Sequence, residues 1–170
     1  MNFSKVFEII NEMQTQGIVE RYAIGGAVGA TFYLEPVATL DVDVFVVFPQ
    51  RGPLIDPSPV FDWLRAHGGK MEGEYVILEQ TPVQFLAAGT PLVQEALIEA
   101  VIADVEGTPV RVFTAEHLAA IALEVGRAKD KARLLQFVEE GAIQLPALEA
   151  IVARHGLVDR WQTFQSQFLA

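Results

Sequence analysis

Residues 22–49 read YAIGGAVGATFYLEPVATLDVDVFVVFP. The stretch opens on an adjacent glycine pair, Gly25 and Gly26, and ends on two aspartates, Asp41 and Asp43, ahead of an apolar run. Residues 21–24 are expected to form a short strand leading into the glycines. Residues 26–34 are expected to form a helix that Pro36 cannot continue, because proline has no N–H to donate and its ring clashes with the preceding turn. Residues 41–48, DVDVFVVF, are β-branched, aromatic and almost wholly apolar, the composition of a central strand buried on both faces. Side chains alternate along a strand, so Asp41 and Asp43 point to one face and Val42 and Val44 to the other.

Two carboxylates on one face repel, at a cost that rises with burial. A divalent cation between them turns that cost into use. Hard cations such as Mg²⁺ take oxygen ligands and keep positions open for substrate phosphates. There they activate a hydroxyl and stabilise a leaving oxygen. The plain alternative is a solvated pair at the exposed start of a strand. The glycines sit between an expected strand and an expected helix. A backbone without side chains lets N–H groups approach an anion at a helix N-terminus. A tight turn or close helix packing would ask for glycine equally.

In order and spacing, Ile24-Gly25-Gly26 followed by Asp41-Val42-Asp43-Val44 resembles the motif of the nucleotidyltransferase fold superfamily. The nearest resemblance is to the bacterial branch of abortive-infection and toxin–antitoxin nucleotidyltransferases. Gly25, Gly26, Ala27, Tyr33, Thr39, Asp41 and Asp43 stand at matching places, with Val37 where that branch often has arginine. Residues 112–138, VFTAEHLAAIALEVGRAKDKARLLQFV, are similar to the branch's helical segment, with Gly126, Arg127, Lys129 and Asp130 at the corresponding positions. The resemblance implies transfer of a nucleoside monophosphate from an NTP to an acceptor hydroxyl with Mg²⁺ or Mn²⁺. It implies Asp41 and Asp43 as metal ligands and catalytic residues, and Lys129 as a further catalytic group offsetting phosphate charge. Gly25, Gly26, Thr39, Arg127 and Lys129 are then the nucleotide-binding residues.

The chain departs from that pattern at one place. Active members carry a third carboxylate on a later strand, and the matching position in TPVQFLA is Gln84. A glutamine amide offers an oxygen but no charge, and takes no proton at neutral pH. Glu79 and Asp104 are the candidate substitutes. Two readings therefore stand: an active nucleotidyltransferase, or a nucleotide-binding or protein-interaction module on the same scaffold that has lost catalysis.

The remaining pattern predicts an α/β (α+β) protein with a small mixed β-sheet, flanking helices and a C-terminal helical segment. Residues 74–80 and 81–87 read as strands, residues 91–99 as a helix, and residues 101–113 as one or two strands turning at Glu106-Gly107. From Thr114 onward the apolar residues recur at helical spacing. The chain is thus expected to divide into a core over 1–113 and a helical subdomain over 114–170 packed on it. Arg127, Lys129, Lys131 and Arg133 hold four of the 12 basic side chains, in a chain of 170 residues with a net charge of −10. That concentration suits a phosphate-binding face; a solvated helix surface with Asp130 paired to Arg127 or Arg133 is the alternative.

The acidic excess argues against an extended nucleic-acid footprint, which needs clustered cations. There is no cysteine, which removes disulfides and thiolate chemistry. His67, His117 and His155 lack zinc-ligand spacing, and neither a nucleophile elbow nor a P-loop sequence occurs. Glu8 and Glu12 interrupt the first apolar pattern, so a signal peptide is not expected. A cytoplasmic protein without a membrane span is the expectation. Its partners are a nucleotide, an acceptor open among small molecule, protein hydroxyl and RNA end, and a protein partner or second copy.

Overall fold

A computed structural model describes residues 2–36 and 41–170. Nine strands occur among them: β1 (Tyr22–Gly25), β2 (Val42–Val46), β3 (Gln50–Arg51), β4 (Leu54–Ile55), β5 (Lys70–Glu72), β6 (Tyr75–Leu78), β7 (Thr81–Ala87), β8 (Val101–Val105) and β9 (Thr108–Val112). The helices are α1 (Phe3–Thr15), α2 (Gly26–Ala30), α3 (Ser58–Ala66), α4 (Pro91–Ile98), α5 (Ala115–Val125), α6 (Ala128–Glu139), α7 (Leu145–Arg154) and α8 (Val158–Phe164), with a π-helical turn at Gln165–Leu169. Seven strands form one mixed sheet in the order β5-β6-β7-β2-β1-β9-β8, and β3 and β4 make a separate small hairpin. β2 lies at the centre, antiparallel to β1 and parallel to β7. The α/β architecture, mixed sheet and C-terminal helices agree with the sequence expectation.

The apolar run of β2 explains its place. Val42, Val44 and Val46 are wholly buried on one face, where α1 and α3 supply Phe7, Ile10, Met13, Val60 and Leu64. Burying each such side chain contributes about 1.5–3 kcal/mol. The other face of β2 carries Asp43 and Phe45, both partly exposed. Beyond it lies a second apolar cluster built from α4 to α8, including Leu118, Leu134, Phe137, Ile151 and Trp161.

One local expectation is corrected. The helix after the glycines spans only Gly26–Ala30, not 26–34. Phe32 and Tyr33 N–H donate to the carbonyls three residues back, and the Thr31 hydroxyl bonds to the Val28 carbonyl at 2.6 Å. These i−3 bonds tighten the chain into a turn instead of continuing the helix. β5, a three-residue strand of exposed Lys70, Met71 and Glu72, has too little apolar character to be read from sequence.

Candidate active site

The register of the sheet aligns the residues that matter. Gly25 pairs with Asp43, and Asp43 pairs with Gln84. Val76 pairs with Val83, so Tyr75 lies beside Gln84 one step along. Across this row, between sheet and α5–α6, runs a cleft of about 470 Å³. Asp41, Asp43, Glu74, Tyr75 and Gln84 line its sheet side; Arg127, Lys129, Asp130 and Arg133 line the helix side. Phe45, Leu86, Leu118 and Ile121 make its apolar walls.

The glycine turn comes up against this cleft. Gly26 has φ +58, and a Cβ there would fall on the Asp43 carboxylate. A Cβ on Gly25 would sit 2.6 Å from the Phe45 ring. Glycine is therefore required by close approach to the acidic strand, whatever else the turn does. The Tyr33 hydroxyl donates to the Phe113 carbonyl at 2.8 Å, tying the segment after α2 to the end of β9.

Burial pushes the Asp43 carboxyl above its ordinary range, and the neighbouring Asp41 charge adds to this; Arg133, Lys129 and Arg127 act in the opposite direction. The Asp41 charge and a hydrogen bond with Glu74 likewise raise the Tyr75 phenol. This wall is therefore short of positive charge, and the facing wall supplies it.

Asp130 organises that facing wall. It is 2% exposed, and its carboxylate accepts from Arg127 Nε at 2.6 Å and from the Arg127 backbone N–H at 3.2 Å. Arg133 Nη1 lies 3.8 Å away. Gly126, at φ 71, ends α5 in the left-handed conformation, and the chain turns directly into α6. The cations nearest the cleft thus follow from a glycine C-cap and an acid in the first turn of the next helix. The sequence alternative paired Asp130 to Arg127 or Arg133 on a solvated surface; in the structure Asp130 meets both arginines and is buried.

Of the residues singled out from sequence, Gly26, Asp41, Asp43, Arg127 and Lys129 line one cleft, with Gly25 immediately behind it. Thr39 and Val37 lie outside the described residues. Glu79 and Asp104 are corrected as substitutes for a third carboxylate. Neither lines the cleft; Glu79 sits in the β6–β7 turn, and Asp104 accepts the Gly107 N–H at 3.0 Å in the β8–β9 turn. Sequence reasoning missed Glu74 and Tyr75 as cleft residues, while Arg133 of the basic run does line the cleft. The β6–β7 pairing carries Tyr75 and the adjoining Glu74 to Gln84, and nothing local in residues 74–80 marks that end of the strand as facing a cleft.

Away from the cleft, Glu95 of α4 gathers three basic groups. His117 Nε2 donates to it at 2.9 Å, Arg154 Nε donates at 3.0 Å, and His155 Nε2 lies 3.2 Å away. A carboxylate only accepts, so His117 Nε2 carries a proton, and its Nδ1 lies 2.7 Å from the Thr114 hydroxyl oxygen. The Arg154 hydrogen bond, followed by those of the histidines, holds the Glu95 carboxyl down at about 2. The folded value is depressed, so this stabilisation is complete above the ordinary carboxylate range and is lost as pH falls toward the folded value. Glu95→Ala is expected to cost about 1–3 kcal/mol in urea unfolding at neutral pH, with the difference from wild type shrinking in acid.

No family model matches the chain, and no curated protein matches its sequence. Solved structures do match. The solution structure of the antibiotic-resistance factor ANT(2'')-Ia superposes with a TM-score of 0.53 at 12% identity, covering 96% of this chain and 95% of that one. A crystal structure of ANT(2'')-Ia in complex with adenylyl-2''-tobramycin gives 0.56 at 13% identity, covering 99% of both. An antigenic nucleotidyltransferase-like protein from Paracoccidioides brasiliensis gives 0.56 at 14% identity, covering 98% of this chain and 92% of that one.

The fold is nucleotidyltransferase-like. At these identities the likeness concerns architecture, and the chemistry has to be argued from the cleft. Among the described residues, no helix is long and apolar enough to cross a membrane.

Proposed function

We propose that this chain is a metal-dependent nucleotidyltransferase that moves a nucleoside monophosphate from an NTP to an acceptor hydroxyl. The observation that carries the reading is the division of one cleft into an acidic wall, Asp41 and Asp43, and a cationic wall, Arg127, Lys129 and Arg133. A triphosphate needs the second and its divalent ion needs the first.

The donor set fits such an ion. Asp41 and Asp43 offer hard oxygens, and the burial and mutual repulsion that raise Asp43 are what a cation relieves. Among the described residues there is no group of three or more acidic, histidine or cysteine side chains gathered for a metal. Phosphate oxygens and water would complete the shell of Mg²⁺ or Mn²⁺ carried in with the nucleotide. When bound, the ion supplies charge neutralisation at the phosphates and lowers the acceptor's proton affinity.

The chain's own residues do the rest. Lys129 and Arg133 bind phosphate oxygens, and Arg127, fixed by Asp130, holds its guanidinium fork at the cleft edge. Phe45, Leu86 and Leu118 exclude water from one side. Gly25 and Gly26 bring bare backbone up to Asp43, leaving room for a phosphate beside it. Because α2 has only five residues, this cradle works through access more than through a helix dipole. The fold likeness to a protein holding adenylyl-2''-tobramycin supports a nucleotidyl group as what moves. The Ile24-Gly25-Gly26 and Asp41-Val42-Asp43-Val44 motif further relates the chain to abortive-infection nucleotidyltransferases.

The test is incubation with each α-labelled NTP and Mg²⁺ or Mn²⁺, offering tobramycin, RNA and the chain itself as acceptors. Label transfer with release of pyrophosphate is expected. Lys129→Ala should weaken nucleotide binding about tenfold, as loss of one exposed phosphate contact. The neutral Gln84 favours the degenerate module as second reading. No turnover, with a nucleotide-induced rise in Tm, would select it as a nucleotide-binding module; no response of either kind would leave only the protein-interaction role.

A further inference from the structure

The cleft holds four carboxylates among its described residues: Asp41, Asp43, Glu74 and Asp130. Attack by an acceptor hydroxyl on phosphorus requires a group that takes its proton. Asp130 is engaged by Arg127 and Arg133 and is 2% exposed, so it is spent as an anchor. Asp41 and Asp43 share the face on which the divalent ion would be held, where a bound cation disfavours their protonation. Glu74 remains. It sits in the β5–β6 turn at the cleft rim, exposed to solvent, one residue before Tyr75. Its Oε2 accepts from Gln84 Nε2 at 3.3 Å. Gln84 is in register with Asp43 on the neighbouring parallel strand. Two central strands thus fix the amide, and the amide tethers the carboxylate of a third element to the edge of the site.

We propose that Glu74 is the proton acceptor of the transfer and that Gln84 is its positioning residue. The inference rests on the nucleotidyltransferase reading. In the step, the acceptor O–H bond breaks and its proton passes to the Glu74 carboxylate. The freed oxygen forms a bond to the α-phosphorus, and the bond from that phosphorus to the bridging oxygen breaks. Pyrophosphate leaves carrying the electron pair. Glu74, at the solvent-exposed rim, then returns the proton to water. An amide in register with Asp43 cannot do this work, so the base has moved from the sheet's interior strand to the adjoining turn.

The probe reaction is hydrolysis of ATP to AMP and pyrophosphate with Mn²⁺, water serving as the acceptor hydroxyl. It is run on wild type, Glu74→Gln, and the double variant Glu74→Gln/Gln84→Glu as a function of pH. Binding of Mn²⁺ with an α,β-methylene ATP analogue is measured in parallel. Glu74→Gln should lower kcat about 10²-fold, the lower range for general-base help. It should also remove the acidic limb of the kcat profile while leaving Mn²⁺–nucleotide affinity within about threefold, roughly 0.7 kcal/mol. The double variant, which puts a carboxylate in register with Asp43, should recover at least about tenfold of the loss. The proposal is overturned if Glu74→Gln keeps wild-type kcat, if it loses rate with the pH profile unchanged, or if it mainly weakens Mn²⁺ binding. A wild type that binds the analogue but never turns over overturns the role of Glu74 and leaves the binding site standing. A wild type that does neither removes the parent reading as well.

Discussion

Asp43→Asn is expected to abolish nucleotidyl transfer and, in the same protein, to raise Tm. The loss follows from the cleft: Asp43 stands between the glycine turn and Gln84, facing the cations of α6. A preorganised charge at such a place is worth on the order of 10³-fold in rate. The gain follows from its environment. Burial and the Asp41 charge raise the Asp43 carboxyl above its ordinary value, so over that interval the folded protein binds more protons than the unfolded chain. Stability is therefore full below the ordinary carboxylate range and falls as pH rises through the folded value. The amide is neutral throughout and escapes that loss. Thermal melts at neutral pH without metal should show Asp43→Asn above wild type, with the two converging in acid. A melt equal to or below wild type at neutral pH would mean that Asp43 is not strained by its neighbours.

Gly26→Ala is expected to be the most damaging methyl group that can be added to this cleft. Left-handed backbone costs a non-glycine residue about 1–2 kcal/mol, and Gly26 has φ +58. Its Cβ would also land on the Asp43 carboxylate, forcing that side chain off its rotamer at about 0.5–1.5 kcal/mol more. The expected destabilisation is about 2–3 kcal/mol by urea unfolding, with transfer activity lost because Asp43 is displaced. The two causes separate in a double-mutant cycle. In an Asp43→Ala background the added methyl should cost less, the backbone share plus a residual contact with the remaining Cβ at 3.1 Å. Equal costs in both backgrounds would show that the contact with Asp43 carries no weight.

Much of this was legible in the sequence, for physical reasons that differ by residue. The alternation around Val42 and Val44 fixes which face Asp41 and Asp43 share, since strand periodicity leaves no second choice. The Gly126 stop and the basic run after it mark the turn between α5 and α6. Glu74 was overlooked because it lies at the exposed start of the 74–80 run, and only the register of β6 on β7, Val76 against Val83, sets it beside Gln84. The Glu95 cluster was invisible for a related reason. His117 and His155 read as unconnected residues in sequence, and only the packing of α4, α5 and α7 brings them to one carboxylate. Local patterning reports what faces the core; long-range pairing decides which polar groups meet.

The most direct test of the two-walled cleft is a manganese titration followed by electron paramagnetic resonance, with and without α,β-methylene ATP. The account predicts that the analogue creates a manganese site in the wild type, and that Asp43→Asn and Lys129→Ala each weaken it from opposite walls. Manganese uptake indifferent to nucleotide, or unchanged in both variants, would contradict it.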